Sequence, residues 1–311
     1  MPFREATARL RSLLQRRDRV LTVMHTPSAG LARAMDAAGA EAGFIGTSGV
    51  VGAYTGMEDV GVASIPECVM IGGWIARAVN FPVILDGDTG HGGIMAVRRL
   101  VEDSIRAGLA GVRIDDQDIE AKRGTTHAGI TVAPLEIVLA RYRAAVDCAR
   151  ELDPDFVVMA QCYVGEATNG SFEEALRRMR LYRAVAGVDW VQFTAPRSKD
   201  DIRAARAVVD GPFSVMEQHL PAPLDHAELL DLGISLQWAP NVTHLAAQAA
   251  VYEIVQDYMA RGPVAVRDFR ARHAQNPYIT RTLPGPGAAV LKQRELEERY
   301  FALPRATIAP H

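Results

Sequence analysis

The chain has 311 residues, of which 49% are hydrophobic and 23% are charged, and its formal net charge is −3. This is the balance of a globular protein with a large core, and it argues against a nucleic acid or an anionic membrane as the main partner. No apolar stretch approaches the roughly 20 residues of a membrane helix. Because no secretory signal is visible and the three cysteines form no C-x-x-C pair, we expect a reduced cytoplasmic protein.

Short apolar runs rich in Val and Ile alternate with longer segments of helical period. The runs are continuous, which is typical of strands buried on both faces. We predict eight strands, at residues 20–24, 43–46, 83–85, 111–114, 156–160, 189–193, 213–216 and 234–238. Eight strands that are each followed by a helix indicate an α/β fold, the (β/α)8 TIM barrel.

The chain continues beyond the eighth predicted helix, which covers about residues 242–261. We assign residues 1–262 to a barrel catalytic domain and residues 263–311 to a C-terminal linker and helical tail. Residues 276–287 carry three prolines, as a linker does, and residues 288–301 have helical period. The tail does not belong to the barrel itself, so it either covers the barrel or packs on a neighbouring subunit.

Two predicted connections, at residues 48–63 and 117–133, are too long to be bare turns. Unstructured loops longer than roughly 12–15 residues in a compact domain are usually lids or binding loops. Both connections follow the carboxyl ends of strands, where barrel enzymes keep their catalytic residues. We therefore expect both to border the active site.

Two acidic pairs follow neighbouring strands. The run Asp86-Gly-Asp88-Thr-Gly-His comes after the third strand, and Asp115-Asp116 ends the fourth. Neighbouring strands lie about 5 Å apart, so these carboxylates would repel one another unless a cation lies between them. Hard oxygen ligands suit Mg²⁺ or Mn²⁺, and the sequence predicts a metal site here. The alternative is a turn in which the aspartates make local hydrogen bonds.

The second long connection carries Lys122, Arg123 and His127. Such side chains on a mobile segment can clamp carboxylates or transfer protons when a loop closes. Taken alone, the segment would be interpreted as a solvated polar loop. Its position one loop beyond the first acidic pair favours a catalytic role.

These segments resemble the isocitrate lyase/phosphoenolpyruvate mutase superfamily, in register from about residue 20 to residue 261. The run that begins at Asp86 looks like the D-A-D-T-G-x-G signature of that family. The segment from Asp115 to Arg123 is similar to its E-D-Q…K-R-C-G-H loop. The segment Thr47-Ser48-Gly49-Val50 resembles its substrate-binding S-G-G element, and Glu58-Asp59-Val60-Gly61 resembles the P-D-x-G element that follows.

The resemblance implies Mg²⁺-dependent chemistry on a 2-oxo or 2-hydroxy carboxylate through an enolate. It implies that Asp88 binds the metal directly while Asp86 and Asp115 hold its waters. The tail is similar to one that the family exchanges between neighbouring subunits, which implies a homotetramer or a homodimer. The resemblance also assigns the substrate carboxylate and carbonyl oxygens to Ser48, Gly49 and Val50.

The sequence departs from the family at several positions. Where the lyase branch has a catalytic cysteine after Lys-Arg, this chain has Gly124. The arginine of the family's A-R-T-D segment is Gln161, and the carboxylate of its F-P-E segment is lost at Ala195. Losing the arginine removes a charged two-pronged contact to a carboxylate. We therefore expect isocitrate and 2-methylisocitrate to be poor substrates.

The predicted pocket is less charged and more aromatic than that of the family. Gln161, Glu217 and Trp238 are its predicted substrate-binding residues at strands five, seven and eight. Cys162 could be a displaced thiol, but free cysteines are often buried, and we interpret it as a small core residue.

We predict a Mg²⁺-dependent carbon–carbon lyase that performs retro-aldol cleavage of a small carboxylate and releases pyruvate or glyoxylate. One alternative is a phosphonopyruvate-type mutase or hydrolase, or an oxo-acid decarboxylase, of the same superfamily. The other is a non-catalytic barrel that binds a metal and an oxo acid. The predicted catalytic residues are Asp59, Lys122, Arg123 and His127.

Overall fold

The structure is a computed structural model that describes residues 3–122, 129–239, 242–276, 278 and 288–301. Eight parallel strands follow one another around a closed barrel, and the last strand pairs with the first. This confirms the predicted (β/α)8 fold. The strands are β1 (Leu21–His25), β2 (Ala42–Ile45), β3 (Val83–Asp86), β4 (Gly111–Asp115), β5 (Val157–Cys162), β6 (Trp190–Phe193), β7 (Phe213–Val215) and β8 (Leu236–Ala239).

Helices precede, connect and follow the strands in the described parts of the chain. They are α1 (Phe3–Gln15), α2 (Ala29–Ala37), α3 (Thr47–Thr55), α4 (Ile65–Ala78), α5 (Ile94–Ala107), α6 (Leu135–Leu152), α7 (Phe172–Ala184), α8 (Lys199–Val208), α9 (His226–Asp231), α10 (Val242–Arg261), α11 (Pro263–Arg272) and α12 (Ala288–Phe301). A short 3-10 helix covers Ile119–Ala121.

Helix α5 shows how the sequence produces this layer. Val97 and Val101 are fully buried on one face, while Arg99 on the other pairs with Asp103 one turn away. The helix ends at Gly108, whose φ of +89° lies in the left-handed region that glycine adopts without strain. The next strand can therefore begin within a few residues.

Two hydrophobic clusters make up the core. The larger one lies between the strands and the surrounding helices. The smaller one fills the barrel with residues at alternate strand positions and includes three residues of α1, so that α1 closes the amino end of the barrel. Its largest members are Leu10, Leu14, Phe44, Met159, Trp190 and Trp238.

The two long connections differ from the expectation of unstructured loops. Residues 47–55 of the first form helix α3. The helix was not predicted because its residues, rich in Gly, Thr and Val, have low helix propensity. In the second, Gln117 and Val132 form a β-bridge that closes the base of the connection.

Contacts divide the chain into two units, Met1–Ala247 and Gln248–His311. The first contains the barrel. The division falls within α10, whereas we expected the barrel domain to extend to residue 262. The second unit carries exposed apolar side chains, among them Val251, Tyr252, Met259, Leu291 and Phe301. No helix in the described ranges is long and apolar enough to cross a membrane.

Candidate active site

A cavity of about 590 Å³ lies at the carboxyl ends of the strands. Its volume is that of a small-molecule site, and His25, Asp86 and Asp115, which line it, are the last residues of β1, β3 and β4. This is the end of the barrel at which TIM-barrel enzymes carry their active sites. The other lining residues are Phe44, Ser48, Gly49, Met57, Glu58, Asp59, Asp88, Arg113, Lys122, Tyr163, Met216, Gln218, Trp238, Ala239, His244 and Leu245.

Four carboxylates line one side of this cavity, and we call them the acidic cluster: Asp59, Asp86, Asp88 and Asp115. Lys122 lies among them. Its Nζ is 2.9 Å from Oδ1 of Asp88 and 3.7 Å from Oδ2 of Asp59, and its side chain is only 9% exposed. The structure therefore brings together the predicted metal-binding residues and two of the predicted catalytic residues.

The hydroxyl of Thr47 lies at the centre of the acidic cluster. Its Oγ1 is 3.1 Å from Oδ1 of Asp88 and 3.3 Å from Oδ2 of Asp59. It also approaches Oδ2 of Asp86 at 3.5 Å. Thr47 is the first residue of α3. This helix, which the sequence did not predict, therefore positions a hydroxyl that contacts the acidic cluster.

Asp86 is tied to β4 by a buried ion pair. Nη2 of Arg113 donates to Oδ2 of Asp86 at 2.6 Å, and both side chains are about one-tenth exposed. Burial opposes the charged form of Asp86, but the charges of Arg113 and Lys122 outweigh it and hold the pKa of this carboxyl below its ordinary value.

The other buried carboxyls shift in the opposite direction. Burial raises the pKa of Asp115 to about 8, and the negative charge of Asp88 adds to the shift while Lys122 opposes it. Burial also raises the pKa of Asp88, again against the charge of Lys122. At Asp88 and Asp115, burial therefore outweighs the favourable charge of Lys122.

The backbone at this motif has an unusual conformation. Asp88 has a φ of +46°, in the left-handed region that few residues other than glycine adopt. Before it, Gly87 packs so closely on β4 that an added Cβ would lie 2.9 Å from Val112 and 3.0 Å from the carbonyl oxygen of Arg113. Unusual backbone conformations of this kind are concentrated at functional sites, which accords with the role predicted for Asp88.

The donor set fits a hydrated Mg²⁺. Four carboxylates face two cations, Lys122 and Arg113, and the buried Oδ1 of Asp59 has no hydrogen-bond partner among the described residues. Within that part of the chain, no three carboxylate, imidazole or thiolate groups form a cage for a metal. Mg²⁺ does not require one, because it usually keeps several waters and takes one or two protein carboxylates. The metal site stays a prediction.

Three other polar residues line the cavity near Phe44. The guanidinium carbon of Arg113 is 4.3 Å from the ring centroid of Phe44 and 5.3 Å from that of Trp238. His25 is the register partner of Phe44 in the β1–β2 pair. Its ring lies so close to Gly49 that a Cβ added there would be 2.1 Å away, so residue 49 must be glycine while His25 keeps this position.

The predicted substrate-binding residues fall into two groups. Ser48, Gly49 and Trp238 line the cavity. Val50, Gln161 and Glu217 do not, and the expectation for their side chains is corrected. Val50 is 4% exposed and packs in the core, while its N–H donates to the carbonyl oxygen of Gly46.

Gln161 and Glu217 are held by neighbouring groups. The Nε2 of Gln161 donates to the hydroxyl of Tyr163 at 3.0 Å and lies 3.5 Å from the sulfur of Met216, so residues that line the cavity cover this side chain. Glu217 accepts hydrogen bonds from the N–H of Leu224 and from the side chain of Gln237. Both side chains are therefore held by protein hydrogen bonds in this arrangement.

The remaining predicted residues have separate outcomes. Arg123 and His127 lie outside the described residues. Cys162 is fully buried in the hydrophobic core, as predicted. The sequence analysis missed Thr47, His25 and Arg113. A signal existed for Arg113, since it precedes Asp115 by two positions and so shares its face of the strand.

Comparison with known proteins assigns this chain to a family. The model of the phosphoenolpyruvate phosphomutase family matches residues 10–259. This chain belongs to that family. It is an enzyme of the isocitrate lyase/phosphoenolpyruvate mutase superfamily, a carbon–carbon lyase.

Individual relatives are similar over most of their length. The chain is 31% identical over 261 residues to an isocitrate lyase of Haloferax volcanii, covering 79% of this chain and 74% of the relative. It is 31% identical over 250 residues to an oxaloacetate decarboxylase of Paraburkholderia xenovorans, covering 80% of each. The crystal structure of a 2,3-dimethylmalate lyase superposes with a TM-score of 0.75 at 26% identity, covering 83% of this chain and 85% of that one.

Proposed function

We propose that this lyase is Mg²⁺-dependent and cleaves a carbon–carbon bond of a small 2-hydroxy or 2-oxo carboxylate through an enolate. The observation that carries the proposal is the acidic cluster around Lys122, on the wall of a cavity at the catalytic end of the barrel. The names of the relatives, an isocitrate lyase and a 2,3-dimethylmalate lyase, support the same class of substrate.

Asp88 would hold the Mg²⁺ directly, with Asp86 and Asp115 hydrogen-bonded to its waters. When bound, the ion would supply a Lewis acid that stabilises negative charge on substrate oxygens. Lys122 orients the carboxylates of Asp88 and Asp59, and Arg113 fixes Asp86.

The first turn of α3 would bind the substrate carboxylate. Ser48 and Gly49 belong to that turn and line the cavity. Helix N-termini favour anions because their N–H groups and the helix dipole point towards them. This segment would hold the carboxylate next to the acidic cluster and orient the bond to be cleaved.

Asp59 is the proposed base, because its Oδ1 is the buried carboxylate oxygen of the cluster that lacks a partner in the described part of the chain. In retro-aldol cleavage it would take the proton of the substrate hydroxyl. The C–O bond then becomes a carbonyl, the adjacent C–C bond breaks, and the electron pair stays on the departing carbon as an enolate. His127, in the following segment, would supply the proton that completes the second product, and Arg123 would contribute positive charge next to the enolate.

Product analysis tests the proposal. The full chain is incubated with Mg²⁺ and a panel of 2-hydroxy and 2-oxo acids, and NMR detects pyruvate or glyoxylate. We expect release from at least one acid, its loss in EDTA, and a loss of at least about 10²-fold in Asp59→Asn. The exposed Asp18 provides a matched control, and Asp18→Asn should keep full activity. Absence of release from every acid, or full release in EDTA, would contradict the proposal.

Decarboxylation of a 2-oxo diacid is a second candidate. It is favoured by the similarity to an oxaloacetate decarboxylase. Loss of CO₂ leaves an enolate whose carbon takes up a proton, as in retro-aldol cleavage. Cys68, Cys148 and Cys162 are buried and none lines the cavity within the described residues, so another group or water would supply that proton in both reactions. Release of CO₂ without glyoxylate would distinguish it from retro-aldol cleavage.

A further inference from the structure

A second polar group lines the cavity beside the acidic cluster. It consists of His25 at the end of β1, Arg113 in β4 and Trp238 in β8, and we call it the donor group. The three residues are 4%, 8% and 9% exposed, respectively. They gather around the ring of Phe44, whose centroid is 4.5 Å from that of Trp238.

Polar atoms of the donor group lack hydrogen-bond partners in the described part of the chain. Both ring nitrogens of His25, Nε of Arg113 and Nε1 of Trp238 are buried and have no partner among the described residues. Buried polar atoms are nearly always paired in native proteins, and here the unpaired atoms belong to three side chains that line one cavity. This concentration indicates a ligand.

The chemistry of the three side chains defines that ligand. Guanidinium and indole groups only donate hydrogen bonds, so their missing partner must be an acceptor. Burial lowers the pKa of His25 to about 4, so at neutral pH its imidazole has one N–H donor. A carboxylate accepts through both oxygens and gains charge-assisted hydrogen bonds with arginine.

The ion pair with Asp86 leaves part of Arg113 available. Asp86 takes only Nη2, and Nε on the same edge of the guanidinium is left without a partner in the described part of the chain. Arg113 therefore brings positive charge to a cavity in which Gln161, at the position of the family's arginine, is neutral and covered by Tyr163 and Met216.

We propose that the donor group binds the second carboxylate of the substrate, which is therefore a diacid. The proposal rests on the proposed function, in which the first carboxylate lies at α3. Arg113 contributes the charge, the indole N–H of Trp238 selects an acceptor because it can only donate, and the neutral ring of His25 adds one N–H donor.

Equilibrium binding of a non-reacting pair tests this subsite. Succinate and its monoamide, succinamate, have the same length and differ in one carboxylate. Isothermal titration of the full chain in Mg²⁺ should give at least about tenfold tighter binding of succinate. Trp238→Phe keeps an aromatic ring but removes the N–H. It should reduce the ratio of the succinamate Kd to the succinate Kd to below about threefold. His25→Phe should also reduce it, and His25→Gln, which restores an N–H, should recover part of it.

Trp190 provides the matched control. Its indole is fully buried and stacks on Trp238, but its Nε1 donates to Oγ of Ser214 at 2.8 Å. Trp190→Phe should keep the wild-type ratio. The proposal is overturned if wild-type protein binds both acids equally, if Trp238→Phe keeps the full ratio, or if Trp190→Phe loses as much as Trp238→Phe.

The two proposals can fail separately, because binding requires no turnover. If the succinate preference is present and depends on Trp238 while no acid is cleaved, the proposed function is wrong and the carboxylate subsite is supported. If acids are cleaved but succinate and succinamate bind equally, the subsite is wrong and the proposed function is unaffected.

Discussion

The two halves of the barrel mouth treat buried polar groups differently. At the ends of β2, β3 and β4, the acidic cluster faces the cavity, and its carboxylates exceed the cations that contact them. At the ends of β5 to β7, polar side chains bond mainly to one another or to the backbone. Glu217 accepts from Leu224 and Gln237, and Oε2 of Glu166 pairs with His219 at 2.9 Å. The exceptions in the described residues are Oε1 of Glu166 and the neutral side-chain amide of Gln192 in β6, which are buried without a partner.

The difference separates polar groups that are available to a ligand from polar groups that are satisfied within the protein. Burying a polar group is costly unless it is hydrogen-bonded, and Glu217 meets that requirement through protein partners. Asp116 directly follows β4 but does not line the cavity, and it is also paired, since it accepts from the N–H of Tyr163 and the hydroxyl of Tyr182. In the β2–β4 half, uncompensated charge and the unpaired oxygen of Asp59 leave interactions for a ligand. We therefore expect substitutions there to affect activity first.

The largest effect is expected at Asp88. Asp88→Ala should lower kcat/KM by at least about 10³-fold, because a metal that stabilises negative charge contributes several kcal/mol to the transition state. Steady-state kinetics measure the loss. Asp103→Asn, which changes a partly buried acidic residue on α5 that pairs with Arg99, should leave activity unchanged. Wild-type rates in Asp88→Ala would remove the distinction between the two halves.

Lys122 should have the next largest effect. Lys122→Met should lower kcat by at least about 10²-fold, as is typical when one electrostatic contact is removed. It should also lower Tm in EDTA, since Asp88 and Asp59 lose their buried cation, and Mg²⁺ should restore part of that loss. Lys199→Met removes an exposed pair with Glu228 and should have little effect. An unchanged kcat in Lys122→Met would exclude Lys122 from the active site.

In the β5–β7 half, Glu217→Gln should affect stability more than catalysis. We expect kcat/KM within about threefold of wild type and a loss of about 1–2 kcal/mol in the free energy of unfolding, since one hydrogen bond to Leu224 or Gln237 is weakened. Urea unfolding and kinetics measure the two quantities, with Glu173→Gln, an exposed residue of α7, as control. A 100-fold loss of kcat/KM would show that this half contributes to catalysis.

Deleting the C-terminal tail should have the smallest direct effect on the two halves of the barrel mouth. We propose that it packs on a neighbouring subunit in a homotetramer or homodimer, since Leu291 and Phe301 of α12 are 58% and 82% exposed in the single chain. Deleting the residues after Asn276 should dissociate or precipitate the protein. Analytical ultracentrifugation measures the assembly state. A soluble, active monomer after the deletion would contradict the exchange of the tail between subunits.

The sequence predicted the half of the site that depends on strand ends. Asp86 and Asp115 follow continuous apolar runs, and the barrel topology alone brings such residues together. It did not predict His25, one position beyond the predicted end of its strand. It placed Gln161 in the pocket because position in the chain does not show which neighbours cover a side chain. Tyr163 and Met216 do so only in the folded structure.

Mn²⁺ binding tests the central claim most directly. The relaxation rate of water protons during a Mn²⁺ titration measures how much Mn²⁺ is bound to the protein. Added pyruvate should change this rate if the ion and pyruvate occupy one cavity. The account predicts one Mn²⁺ per wild-type chain, a pyruvate-dependent change in relaxation, and neither in Asp88→Ala. Equal Mn²⁺ binding by wild type and Asp88→Ala, or no binding by wild type, would contradict it.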